Sequence, residues 1–122
     1  MRKVLVVGRD TLSREMTASL LADMPIVVQT AASIVDVEKS CRMGCFDLVI
    51  MLDLTPLFDG SSSISQLRPE GLRFPKFFVI SRQYSEQVVM GLLECGVTQY
   101  LTFPVNVLRL RHKIYENLNG SL

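Results

Sequence analysis

The side chains that could do chemistry together lie in four short segments, residues 8–11, 52–56, 81–82 and 102–104. Each follows or closes an apolar run. Together they contribute Gly8, Arg9, Asp10, Leu52, Asp53, Ser81 and Phe103. Arg9 is a permanent cation with two open fates: a fixed salt bridge to Asp10, Asp53 or Asp59, or solvation in a loop. Thr11 and Ser13 stand near an expected helix start, where hydroxyls and backbone N–H groups can hold an anion. That segment lacks the glycine pattern of phosphate loops, and Asp10 repels phosphate, so ordinary helix capping is expected there. The three cysteines, Cys41, Cys45 and Cys95, are odd in number and lack metal-type spacing. His112, the sole histidine, is remote in sequence from Cys41 and Cys45. No metal site is expected, and the thiols read as reduced and buried.

Composition narrows the classes further. The 122 residues suit one domain, with 48% apolar and 20% charged side chains. A net charge of +1 advertises neither a nucleic-acid surface nor a polybasic membrane patch. The longest apolar stretch, near residues 46–54, is broken by Asp47 and Asp53, and a span would need about 20 residues. No leader pattern opens the chain. A cytoplasmic location is expected, with no direct nucleic-acid or membrane contact.

Strand-like and helix-like patterns alternate. Residues 3–7 are a continuous apolar run, fit for a strand buried on both faces. Asp10 or Thr11 can cap a helix that carries Leu12, Met16 and Leu20 on one stripe. Residues 26–30 read as a second strand, and Ser33 with Asp36 resembles a capping box for a helix over 35–42, stopped by Gly44. Residues 46–52 form the third strand, 53–63 a loop, and 63–67 a short helix. A fourth strand covers 76–81. A helix over 85–95 follows, with Val88, Val89, Leu92 and Leu93 inward. A fifth strand covers 97–102, and a last helix over 105–118 sets Val107, Leu110, Ile114 and Leu118 at helical spacing. The six methionines read as core fillers. Five strands, each followed by a helical segment, predict an α/β fold with a parallel sheet covered on both faces. Sites in such sheets lie in the crevice beyond the carboxyl ends of the strands.

Those four segments are also where the sequence resembles the CheY-like receiver domains of response regulators, over residues 3–118. The most specific stretch is Phe46-Asp47-Leu48-Val49-Ile50-Met51-Leu52-Asp53-Leu54-Thr55-Pro56-Leu57-Phe58-Asp59-Gly60. It is similar to the family's third strand and loop, in which an acid opens the strand and a Pro and an Asp-Gly follow. Tyr100-Leu101-Thr102-Phe103-Pro104 is similar to the aromatic-apolar-x-Lys-Pro of the fifth strand, and Gly96 matches a helix-ending glycine. The resemblance implies a flavodoxin-like (βα)5 fold, strand order 2-1-3-4-5, with residues 1–118 as the domain and 119–122 as a tail or linker.

The family's chemistry does not carry over with the fold. Receivers hold Mg²⁺ with help from two acids after the first strand; those positions match Gly8 and Arg9. The phosphoacceptor lies five residues after the opening acid and four before the loop proline, and both counts reach Leu52. The lysine position is Phe103, while Ser81 and Tyr100 still match the family. Mg²⁺ needs oxygen ligands in near-octahedral geometry. A guanidinium ~5 Å from it costs about 6 kcal/mol at an effective dielectric near ~20. Leu52 and Phe103 are expected to fill the pocket with apolar contacts, contributing about 1.5–3 kcal/mol each.

The leading expectation is therefore a degenerate receiver, not an enzyme and without cofactor, that signals by phosphorylation-independent protein–protein contact. Two alternatives stay open. One is a phosphoaccepting receiver that uses Asp53, swung in by a bulge, with Asp10 and Mg²⁺. The other is an anion or small-molecule sensor at the Arg9 crevice. The resemblance also implies an interaction face from the last two helices and the fifth strand: Glu86, Glu94, Tyr100, Arg109 and Arg111. Its mixed charges suit a two-fold contact with a second copy, or another protein, or an output domain joined beyond Leu122.

Overall fold

The computed structural model describes residues 2–33, 46–53, 76–82, 85–94 and 97–118. The elements are β1 (Arg2–Gly8), α1 (Thr11–Leu20), β2 (Ile26–Ala31), β3 (Leu48–Leu52), β4 (Lys76–Ser81), α2 (Glu86–Glu94), β5 (Gln99–Thr102) and α3 (Val107–Asn117). The helices expected over 35–42 and 63–67, the loop over 54–63, Asp59, the three cysteines and the tail lie outside the described residues.

All five strands pair in parallel, in the order β2-β1-β3-β4-β5, as expected. The order reverses at β1. The register there sets Gly8 against Leu52, so the ends of β1 and β3 form the crevice. Strands buried on both faces need apolar residues at every position. Val4 to Val7, Leu48 to Leu52 and Phe77 to Ile80 meet that demand, none more than 3% exposed. On one face Val4, Val6, Leu48, Ile50, Leu52, Phe78, Ile80 and Leu101 pack with Leu21 and with Leu110, Ile114 and Leu118. Of the stripe its spacing predicts, the last helix buries Leu110 and Ile114, with Leu118 at its end, whereas Val107 is only half-buried. Full burial of a side chain such as Ile114 stabilises the fold by about 1.5–3 kcal/mol.

Two other stripes differ from expectation. Leu12 and Met16 are exposed at 67% and 58%, while Thr17 and Leu21 are buried. The helix is rotated so that Thr17 faces inward, and its hydroxyl is satisfied by donating to the Ser13 carbonyl at 2.8 Å. Positions four apart drift around a helix, so Leu12 and Leu20 do not share one inward line. In α2, Leu93 is exposed rather than inward, and so is Met90. The methionines are correspondingly not all core fillers: Met51 is buried, whereas Met16 and Met90 reach the surface.

The amino ends of the strands are tied by Asp47. Its carboxylate accepts from the Lys3 backbone N–H at 2.9 Å and lies 3.3 Å from the Arg2 guanidinium. Its own N–H donates to the Lys3 carbonyl, and its carbonyl accepts from the Lys76 N–H. One residue thereby joins β1, β3 and β4. Nearby, the Lys76 ammonium donates to the Asn117 carbonyl at 2.6 Å, anchoring the end of α3.

Candidate functional site

At the opposite, carboxyl rim, Gly8, Arg9, Asp10, Ser13, Leu52 and Asp53 line a crevice of about 110 Å³. Leu52 is only 3% exposed and belongs to the core. A Cβ placed on Gly8 would lie 3.3 Å from the Cβ and Cδ1 of Leu52. That is tighter than ordinary contact, so a longer side chain at position 8 would need Leu52 to move. The two positions are filled by one another: the missing side chain of Gly8 is the space that Leu52 uses.

Asp10 caps α1. Its Oδ2 accepts from the Ser13 N–H at 2.9 Å and from the Ser13 hydroxyl at 2.6 Å. These hydrogen bonds, with smaller help from the Arg82 and Arg14 charges, hold its carboxyl below the ordinary value of 3.8. Its lone pairs therefore serve the helix end, as the capping reading expects.

Asp53 leaves the strand geometry altogether. Its φ of 50° places it in the left-handed region, which aspartate tolerates better than most side chains. Its N–H still pairs with the Ile80 carbonyl at 2.8 Å. The left-handed turn, not an extended continuation, brings the carboxylate to the crevice. There Oδ1 accepts from the Arg82 N–H at 3.2 Å, and Oδ2 lies 3.5 Å from the Arg82 guanidinium. Arg82 in turn stands over the Phe103 ring, 5.2 Å from its centroid. Phe103 is half-buried, its N–H donates to the Ser81 carbonyl, and a cis peptide joins it to Pro104. Ser81 is buried at the end of β4.

Among the described residues Arg9 makes no ion pair, and Asp53 pairs with Arg82 instead. Sequence reasoning placed Arg82 in one of the four segments without giving it a role, and passed over Arg14, whose guanidinium donates to the Gly8 carbonyl at 2.6 Å. The register of β3 on β4, with Leu52 beside Ile80, brings the residues just past the two strand ends together.

Mg²⁺, the ion that the resemblance to receivers implies, needs several oxygen ligands at this rim. Gly8 offers no ligand, Arg9 a cation, Asp10 a carboxylate engaged by Ser13, and Asp53 one engaged by arginine. No group of three or more metal-ligating side chains is gathered among the described residues. This set does not fit the ion.

Of the expected interaction face, Tyr100 and Arg109 line one hollow of about 230 Å³ with Pro104 and Asn106. Glu86 is exposed in the first turn of α2, and Glu94 closes that helix. Arg111 is drawn away to Asp23, 2.9 Å distant, at the foot of α1. A larger apolar groove, about 410 Å³, lies elsewhere: Met16 and Leu20 of α1 face Phe103, Val105 and Val107 across it, with Arg82 on its rim. No helix among the described residues is long and apolar enough to cross a membrane.

Sheet order and crevice define the flavodoxin-like fold of CheY-type receivers. Solved structures that resemble the chain include receivers of this kind. A two-component response regulator from Clostridium difficile superposes with a TM-score of 0.84 at 18% identity, covering 98% of this chain and 97% of that one. The receiver domain of Ssk1, from a Saccharomyces cerevisiae co-crystal with the histidine phosphotransfer protein Ypd1, gives 0.81 at 21% identity, covering 99% and 92%. In sequence, the chain is 28% identical over 120 residues to transcription factor prr1 of Schizosaccharomyces pombe. That match takes in 98% of this chain but 22% of the relative. No family model matches the sequence.

Proposed function

We propose that this domain is a receiver-type module of two-component or phosphorelay signalling that acts by protein–protein contact without aspartyl phosphorylation. One observation carries the reading. Leu52, at the position the resemblance assigns to the phosphoacceptor, is built into the core against Gly8, at a position the resemblance assigns to a metal-holding acid. Phosphoryl transfer depends on positioned charge. Here hydrocarbon and a backbone edge stand in its place. The module is a binding element rather than a catalyst. The Ypd1–Ssk1 co-crystal supports a phosphotransfer protein as one class of partner, and the relationship to prr1 supports an output domain elsewhere in a longer chain. A second copy meeting the face around Tyr100 and Arg109 is a further partner.

The Asp53 alternative has one observation in its favour: its carboxylate does line the crevice. Incubation with acetyl phosphate and Mg²⁺, followed by intact-mass measurement, separates the two. The protein is expected to keep its mass. A Mg²⁺-dependent phosphoryl adduct that Asp53→Asn abolishes would transfer the assignment to the phosphoaccepting reading.

A further inference from the structure

The crevice and the apolar groove are separate depressions, yet they share a wall. Asp53 lines the crevice, Phe103 lines the groove, and Arg82, on the groove's rim, touches both residues. We propose that Arg82 is a conformational tether that couples the two depressions, so that the state of the Asp53 carboxylate sets the shape of the groove beside α1.

The chain of contacts is short. The carboxylate of Asp53 takes the Arg82 backbone N–H on one oxygen and faces its guanidinium with the other. These two contacts orient both the backbone and the side chain of Arg82. The guanidinium is then placed over the Phe103 ring. A planar cation on an aromatic face can move only if the ring, the carboxylate or both release it. Phe103 is held from below, because its N–H donates to the Ser81 carbonyl at 3.2 Å. The ends of β3, β4 and β5 are therefore joined by one side chain.

Both partners are accessible. The Arg82 side chain is 72% exposed and that of Asp53 40%. Contacts of this kind are modest, which suits a device that must open and close. Whatever takes the carboxylate from Arg82, by neutralising it or by offering it another cation, frees the guanidinium from above the ring. By linkage, a molecule seated in the groove that displaces Arg82 alters the crevice in return. The coupling needs no phosphoryl group and does not depend on which protein is bound.

Proton NMR on the full chain tests this. In the wild-type protein the Arg82 Hδ and Hε resonances are expected upfield, in the shielding cone of the Phe103 ring, and Phe103→Leu removes that shift. Asp53→Asn is expected to move the same resonances toward those of a free arginine and also to perturb the Val105 and Val107 methyl groups across the groove. Exchange of the Arg82 amide should quicken roughly two- to fivefold, the range of an exposed ion pair. Arg82→Gln must shift the same methyl groups in the same direction, and it serves if Asp53→Asn fails to fold. Unshifted Arg82 resonances in the wild type, or groove methyl groups indifferent to both substitutions, would overturn the tether.

Discussion

Two aspartates bracket β3, and the two ends of the sheet use them in opposite ways. Asp47, at the amino end, is 23% exposed in its side chain and is written into the ladder, joined to β1 and β4 by its own backbone and by its carboxylate. Asp53, at the carboxyl end, is more open, turns into the left-handed region and pairs with an exposed arginine. The first is architecture. The second sits where the strand order reverses and where parallel sheets place their sites. Each carboxylate takes one backbone N–H and faces one guanidinium. The difference therefore lies in exposure and in the backbone beneath: Asp47 bonds to β1 and β4 through its own N–H and carbonyl, whereas Asp53 turns into the left-handed region.

The sharpest way to break this contrast is to put a third carboxylate between them. Leu52→Asp would bury an acid beside Gly8 in place of a core side chain. Urea denaturation is expected to show a loss of about 3 kcal/mol. A stable variant that bound Mg²⁺ would mean that the crevice is still a working acidic pocket. Next, Asp47→Ala strips the Lys3 N–H of its acceptor and the Arg2 guanidinium of its partner, and should cost about 1–2 kcal/mol in the same measurement. Gly8→Ala tests the mutual filling of the crevice floor: its new Cβ presses on Leu52, with an expected loss of about 1 kcal/mol. Gly8→Ala combined with Leu52→Ala should show less than the sum of the single losses. Asp53→Asn is expected to cost under about 1 kcal/mol, since both partners are solvent-screened, and a loss equal to that of Asp47→Ala would erase the contrast between the two rims.

The smallest effect is a pH dependence. Asp10 has a folded pKa below its ordinary 3.8, chiefly because Ser13 donates to the charged form. Between the two values the unfolded chain binds more protons, so stability rises with pH there. The contribution is fully present above the unfolded pKa and fades as pH falls through the folded one. Asp10→Asn should keep a capped helix and flatten the acid limb of a stability-versus-pH curve. An unchanged limb would show that Asp10 is not held in its charged form by the cap.

The fold was legible because the inner runs of β1, β3 and β4 are apolar at every position, as a sheet covered on both faces requires. Likewise the crevice floor could be counted out: the distances from Asp47 and Pro56 both end on Leu52, and Leu52 proves to be core. What the pattern concealed was rotation and reach. Leu12 and Met16 have the spacing of a buried stripe, yet Thr17 takes the inward position because Ser13 satisfies its hydroxyl. Arg9 was the conspicuous cation, yet Arg82, on a neighbouring strand end, is the one that meets Asp53.

The sequence by itself determined the parallel α/β fold, the location of the crevice and the poverty of negative charge at its floor, since these depend on residue type and order along the chain. Only the tertiary structure decided which arginine holds Asp53, which face of α1 is left open and that a groove lies beside it. Those outcomes turn on a backbone dihedral, a helix rotation and the register of adjacent strands, and a one-dimensional pattern of polar and apolar letters does not encode any of the three.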